Sequence, residues 1–173
     1  SRTVMELGKI LGLFDSGTLD CQITKNQILF SIGNLKIISR LIEGNFPDYK
    51  KIIPSSSKTK IKVNVNELVL AVKKVSLFVQ ETNNNIKVSV TNNGKLIVST
   101  DETQIGEGTA EVDVEIDGEN NKIALNAQYI LDVLGHINDE TINLAIDNKL
   151  APVTINPAKK DVEYTHIIMP LKL

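Results

Sequence analysis

Apolar residues recur along this chain with two different periods. Near its start Leu7, Ile10, Leu11 and Phe14 follow helical spacing and leave Arg2, Glu6 and Lys9 for the opposite face, while Thr3 with Glu6 three residues on reads as a capping box. A helix is therefore expected from almost the first residue. Asn64 ahead of Leu68, Ala71, Val72 and Val75, and Asn126 ahead of Ile130, Val133, Leu134 and Ile137, predict two more helices, because an Asn side chain satisfies the free N–H groups of a first turn. Elsewhere period-two alternation takes over. Ile61-Lys62-Val63, Ile86 to Val90, Leu96-Ile97-Val98 and Val112 to Ile116 read as half-buried strands, parted by turn signals at Asn93-Gly94 and Asp117-Gly118. Sheet outweighs helix, and the fold class predicted is α+β.

The pattern also repeats. Sliding the first segment by 123 residues sets Leu7, Ile10, Leu11, Gly12, Thr18, Leu19, Ile23 and Ile32 against Ile130, Val133, Leu134, Gly135, Thr141, Ile142, Ile146 and Ile155. Residues 58–173 thus read as two tandem βαβββ units forming one domain. Residues 1–54 read as the second unit of an earlier domain whose first unit is missing. A coincidental match is the alternative, since helix-then-hairpin order is common. The polar stretch Pro54-Ser55-Ser56-Ser57 marks the expected boundary, giving domains at 1–54 and 55–173. The opening Ser-Arg-Thr, without an initiator Met or an export signal, adds the expectation that the chain is cut from something longer.

Composition narrows the function classes. With 42% hydrophobic and 23% charged residues, the 173-residue chain is of ordinary globular type. Its 19 basic and 21 acidic side chains leave a net charge of −2, so a nucleic-acid role must come from local charge placement and not from a global basic field. Aromatic residues make up 4%, with no Trp, which argues against a platform that stacks exposed bases. The lone Cys21 cannot form an internal disulfide and no Cys/His set has zinc spacing. A reducing, cytoplasmic location without metal or other cofactor is expected. The most apolar helix-length stretch, 68–79, is interrupted by Lys73 and Lys74 and is too short to span a bilayer, so no membrane partner is expected.

Candidate chemistry is sparse. His136 and His166 are the only imidazoles, and neither sits in a spacing that suits a nucleophile, a metal pair or a phosphate loop. No catalytic residue is assigned. Gly106-Glu107-Gly108 lacks the third glycine of a dinucleotide site and suits a strand bend. Asp101 and Glu102 head a segment to Glu119 that holds eight acidic residues and no basic one, which reads as a solvated or partner-facing rim. Two surfaces say more. Opposite the apolar stripe of the second helix stand Leu70, Lys73, Lys74 and Leu77, with Phe78 beside them; either a partner or the following loop covers these apolar groups. The chain then ends on Ile167-Ile168-Met169-Pro170-Leu171-Lys172-Leu173, an edge suited to adaptable peptide binding or a last core strand.

Three stretches resemble a known family. Residues 38–54, Ile-Ser-Arg-Leu-Ile-Glu-Gly-Asn-Phe-Pro-Asp-Tyr-Lys-Lys-Ile-Ile-Pro, the helix Tyr129 to Leu134, and the ending Met169 to Leu173 resemble the bacterial sliding clamp, the beta subunit of DNA polymerase III. The resemblance implies the DNA clamp fold, repeated βαβββ units with helices on one face of antiparallel sheets. It also implies a non-catalytic processivity factor, a homodimeric ring of two chains head to tail around duplex DNA. Helices line the hole, and contact with phosphate alone is independent of DNA sequence. By matching position, Arg2, Lys9, Lys73 and Lys74 are expected to face DNA, the alternative being solvated helix faces. Leu77 and Phe78 match the subunit seam, flanked by Glu102, Glu107 and Glu111. Pro47, Lys51, Ile52, Pro152, Ile167, Ile168, Met169, Pro170 and Leu171 match a pocket for short linear peptides from the catalytic polypeptide of polymerase III, the clamp loader and repair polymerases. A complete clamp has three domains, and this chain resembles the back half of the middle one plus the last. The expected state is a monomer or a non-native association. The competing class is a protein-interaction module of similar fold that never meets DNA.

Overall fold

A computed structural model describes residues 2–14, 17–46, 48–79, 84–101, 106–159 and 164–172. Pro47, Glu102 and Leu173, three residues named above, lie outside the described residues. The chain divides into two compact units, Ser1–Pro47 and Asp48–Leu173. The Pro54–Ser57 stretch, expected as the boundary, lies inside the second unit, and Tyr49 and Ile53 just before it line a cleft with residues of that unit's last strands.

The first unit runs α1 (Arg2–Leu11), β1 (Asp20–Ile23), β2 (Gln27–Ile32) and β3 (Leu35–Arg40), the strands forming an antiparallel meander. The capping box expected at Thr3 is corrected. Thr3 already lies within the helix, and its Oγ1 stands 2.8 Å from Ser39 Oγ, a tertiary contact that local sequence does not show. Leu7, Ile10 and Leu11 are half-buried as their spacing predicts, whereas Ile32 is the unit's buried apolar side chain among the described residues.

The second unit holds two successive βαβββ runs, as the repeat predicts: β4 (Thr59–Asn64), α2 (Val65–Ser76), β5 (Asn85–Thr91), β6 (Lys95–Ser99) and β7 (Thr109–Gly118), then β8 (Asn121–Asn126), α3 (Ala127–Leu134), β9 (Thr141–Ile146), β10 (Val153–Pro157) and β11 (His166–Ile168). Both helices start where the Asn caps place them. Asn64 Oδ1 accepts from the backbone N–H groups of Asn66 and Glu67 at 2.9 and 3.2 Å, and Asn126 Oδ1 accepts from those of Gln128 and Tyr129 at 2.9 and 3.2 Å.

All strand pairs are antiparallel, in the order β11-β10-β9-β4-β7-β6-β5-β8. Each run's first strand is therefore handed to the other run's meander: β4 pairs with β9, and β8 with β5. Alternation puts Ile61, Val63, Ile86, Val88, Ile142, Leu144, Val153 and Ile155 on one face, where Leu68, Val72 and Val75 of α2 and Ile130, Val133 and Leu134 of α3 cover them. At about 1.5–3 kcal/mol for each large side chain fully withdrawn from water, this shared core outweighs every local preference in the chain. One glycine is indispensable to the closure. Gly118 takes φ +119°, and a Cβ there would lie 1.9 Å from the carbonyl oxygen of Lys58.

Candidate functional site

The candidate peptide edge is built by β10, β11 and the segment before β4. Because successive strand residues face opposite ways, Ile168, opposite Val153, points into the core at 2% exposure, while Ile167, opposite Thr154, points out. Ile168, named above for the pocket, is thus committed to packing. Met169 is 59% exposed, and Pro170 and Leu171 are half-buried. Ile167 borders a cleft of about 660 Å³ whose other walls include Tyr49, Ile53, Asn156, Tyr164 and Thr165.

Tyr49 and Ile53 are the cleft residues that the position-by-position reading missed. A 3-10 turn over Tyr49–Lys51 brings them to one side, the Ile53 N–H donating to the Tyr49 carbonyl at 3.3 Å. Lys51 and Ile52, between them, do not line that cleft, and Lys51 reaches Asp48 at 3.6 Å. Pro152 lines an adjoining polar hollow of about 300 Å³ with Ser55, Ser57, Lys60 and Thr154.

The outer side of α2 divides the groups that were expected to act together. Phe78 is half-buried, its ring against Gly106 and Gly108; a Cβ on Gly108 would come within 2.6 Å of Phe78 Cδ2. Those glycines serve the approach of an aromatic ring. Leu77 is 64% exposed and Leu70 59% exposed, so the Gly106–Gly108 segment ahead of β7 covers one apolar group of the pair and leaves the other open. Lys73 lines a groove between α2 and α3 with Asn66, Leu131 and Glu140. Lys74, one residue on and about 100° around the helix, lines a different groove with Glu67, Glu111 and Asp113. On α1, Arg2 and Lys9 are exposed, and Lys9 meets Glu6 at 3.1 Å.

Tertiary pairing partly neutralises the acidic segment. Asp113 meets Lys95 at 2.6 Å, and that hydrogen bond holds the lysine above its ordinary pKa. Glu115 meets Lys62 at 3.0 Å, and Asp101 pairs with Lys87. Glu107 and Glu111 are exposed. Behind the peptide edge, the His166 ring stacks at 6.5 Å on Tyr164, and its Nδ1 is 3.5 Å from the tyrosine hydroxyl. Burial lowers the His166 pKa; Asp132 on α3 opposes that shift and His136 adds to it. Among the described residues no group of three or more His, Cys, Asp or Glu could hold a metal ion, and no helix is long and apolar enough to cross a membrane.

An α+β unit of two helix-bearing βαβββ runs, sharing one antiparallel sheet, is the architecture of solved sliding clamps. The clamp from Bacillus subtilis superposes with a TM-score of 0.83 at 31% identity, covering 99% of this chain and 45% of that one. The DNA polymerase III beta protein from Pseudomonas aeruginosa gives 0.86 at 25% identity, over 99% and 47%. Residues 50–172 match the C-terminal domain of the DNA polymerase III beta subunit, and residues 1–48 match its central domain. This chain belongs to that beta-subunit family. The Staphylococcus epidermidis beta sliding clamp is 30% identical over 172 residues, and a Staphylococcus aureus one is 29% identical over the same length. The chain spans 45% of each of those relatives.

Proposed function

We propose that the chain forms the part of a sliding clamp that docks partner proteins and contributes to the surfaces facing DNA and the neighbouring protomer. The whole clamp is a non-catalytic, cytoplasmic processivity factor: a homodimeric ring around duplex DNA that tethers the catalytic polypeptide of polymerase III, the clamp loader and repair polymerases through short linear peptides. In this reading the first compact unit completes a middle domain and the second forms the last one. One observation carries the docking role: Ile167 faces outward into a cleft with Tyr49 and Ile53, beside an exposed Met169.

Such a cleft suits two apolar peptide side chains. Burying each contributes about 1.5–3 kcal/mol, and after the cost of association a micromolar affinity, about 8 kcal/mol, is reasonable. The exposed Leu77 and the half-buried Phe78 beside it in the chain fit the subunit seam, and Arg2, Lys9, Lys73 and Lys74 supply phosphate contacts. Fluorescence polarisation with a peptide bearing a Leu-Phe pair tests the docking role. Met169→Ala and Ile167→Asp weaken binding in this reading; equal binding by wild type and both variants would sink it.

A further inference from the structure

The outward face of the second unit carries a straight row of side chains leading away from the cleft. Ile167 pairs across the sheet with Thr154, Thr154 with Ala145, and Ala145 with Lys60. All four stand on the side of the sheet away from the core. Thr154 and Ala145 are short, so the row is sunken between its two ends. Beside it lie Asn156, Asn143 and Lys62 in the same register.

The hollows over this face share walls. Asn143 and Asn156 line both the cleft at Ile167 and a central cavity of about 570 Å³; Lys60 and Ala145 line both that cavity and the polar hollow at Pro152. Lys62 is matched by Glu115 at 3.0 Å, whereas Lys60 makes no ion pair among the described residues. The next position across the sheet from Lys60 is Asp117, which also lines the central cavity.

We infer that the docking site continues along the row Ile167–Thr154–Ala145–Lys60 as a track for the flank of a linear peptide, with Lys60 selecting a carboxylate. The inference rests on the peptide-docking reading above. Three strand spacings of about 4.8 Å place Lys60 about 14 Å from Ile167, a span that an extended peptide covers in about four or five residues. Asn143 can give and accept hydrogen bonds along the way, and Asn156, whose Nδ2 already donates to the Tyr164 carbonyl and to Thr165 Oγ1, can accept them through Oδ1. The preference has a far limit. One strand further, about six residues out, Asp117 repels the same carboxylate.

The test is a polarisation titration of the full chain with labelled peptides that hold one apolar pair and a single Glu or Gln, placed one, four, five or six residues from the pair on either flank. At low salt, Glu at four or five residues is expected to bind about two- to five-fold tighter than Gln, the range of an exposed ion pair. High salt and Lys60→Gln should abolish that difference, and Lys62→Gln should retain it. Equal binding of Glu and Gln peptides, with Ile167→Asp still weakening both, overturns the track and leaves the docking reading standing. No binding by any peptide, or binding that Ile167→Asp does not weaken, overturns both.

Discussion

Leu171 donates its backbone N–H to the carbonyl oxygen of Ala124 at 2.8 Å, an antiparallel bridge that joins the end of the second βαβββ run to that run's own first strand. In the first run β7 does the same for β4 through a full ladder. The Met-Pro-Leu ending therefore has two duties: it presents Met169 outward, and it closes the sheet beside a fully buried Ala124.

Replacing Leu171 with Pro removes the donor and leaves a buried carbonyl unpaired. A loss of about 1–3 kcal/mol is expected. The urea midpoint measures it, and an unchanged midpoint would show that the bridge carries no stability.

Two glycines with positive φ separate strain from collision. Gly33 takes φ +55° with nothing near a future Cβ, so Gly33→Ala should cost about 1–2 kcal/mol. Gly118→Ala must displace the Lys58 backbone as well, and should cost about 3 kcal/mol or more. Thermal melts of the two variants should rank accordingly; equal losses would contradict the packing of Lys58 on Gly118.

Lys73 and Lys74 face different grooves, and only Lys73 shares one with α3. If the helix pair meets duplex DNA, Lys73→Gln should lower the salt slope of DNA affinity by about one and Lys74→Gln should lower it by less, because Glu67, Glu111 and Asp113 share the groove of Lys74. Equal slopes in both variants would count against this face.

His166 ties stability to acidity. Its ordinary pKa is 6.5, and burial lowers the folded value; Asp132 on α3 opposes that shift, His136 adds to it, and Tyr164 stacks on the ring. The unfolded chain then takes up the proton first. The contribution to stability is fully present above the unfolded pKa and is lost as pH falls through it toward the lowered folded value. Denaturant midpoints of wild type should decline over that window more steeply than those of His166→Gln. Parallel curves would refute the burial of this imidazole.

Much of the fold was legible because the rules that wrote it are local. Asn64 and Asn126 opened their helices because a cap needs only the next three residues, and alternation marked β4, β5, β6 and β7 because one face of each is buried. Thr3 misled for the complementary reason. Its hydroxyl is used by Ser39, thirty-six positions away, and no capping signature can report that. Phe78 and Leu77 divided on a similar point, since the glycines that admit the phenyl ring belong to a loop far along the chain. The proposed docking residues rest on likeness to a family stretch, whereas Tyr49 and Ile53 reach the cleft through the turn between them.

The sequence by itself determined the α+β class, the repeated order of elements, the starts of the two Asn-capped helices, and which positions of the alternating strands β4 to β7 turn inward. Those are consequences of periodicity and of short-range hydrogen bonding. Tertiary structure decided which strand lies beside which, and hence that residues 60, 145, 154 and 167 share one row, that Lys73 and Lys74 serve different grooves, and that Ile168 is core while Ile167 is surface. Strand order is fixed when distant apolar faces bury one another, and that cooperative gain belongs to no single segment of the chain.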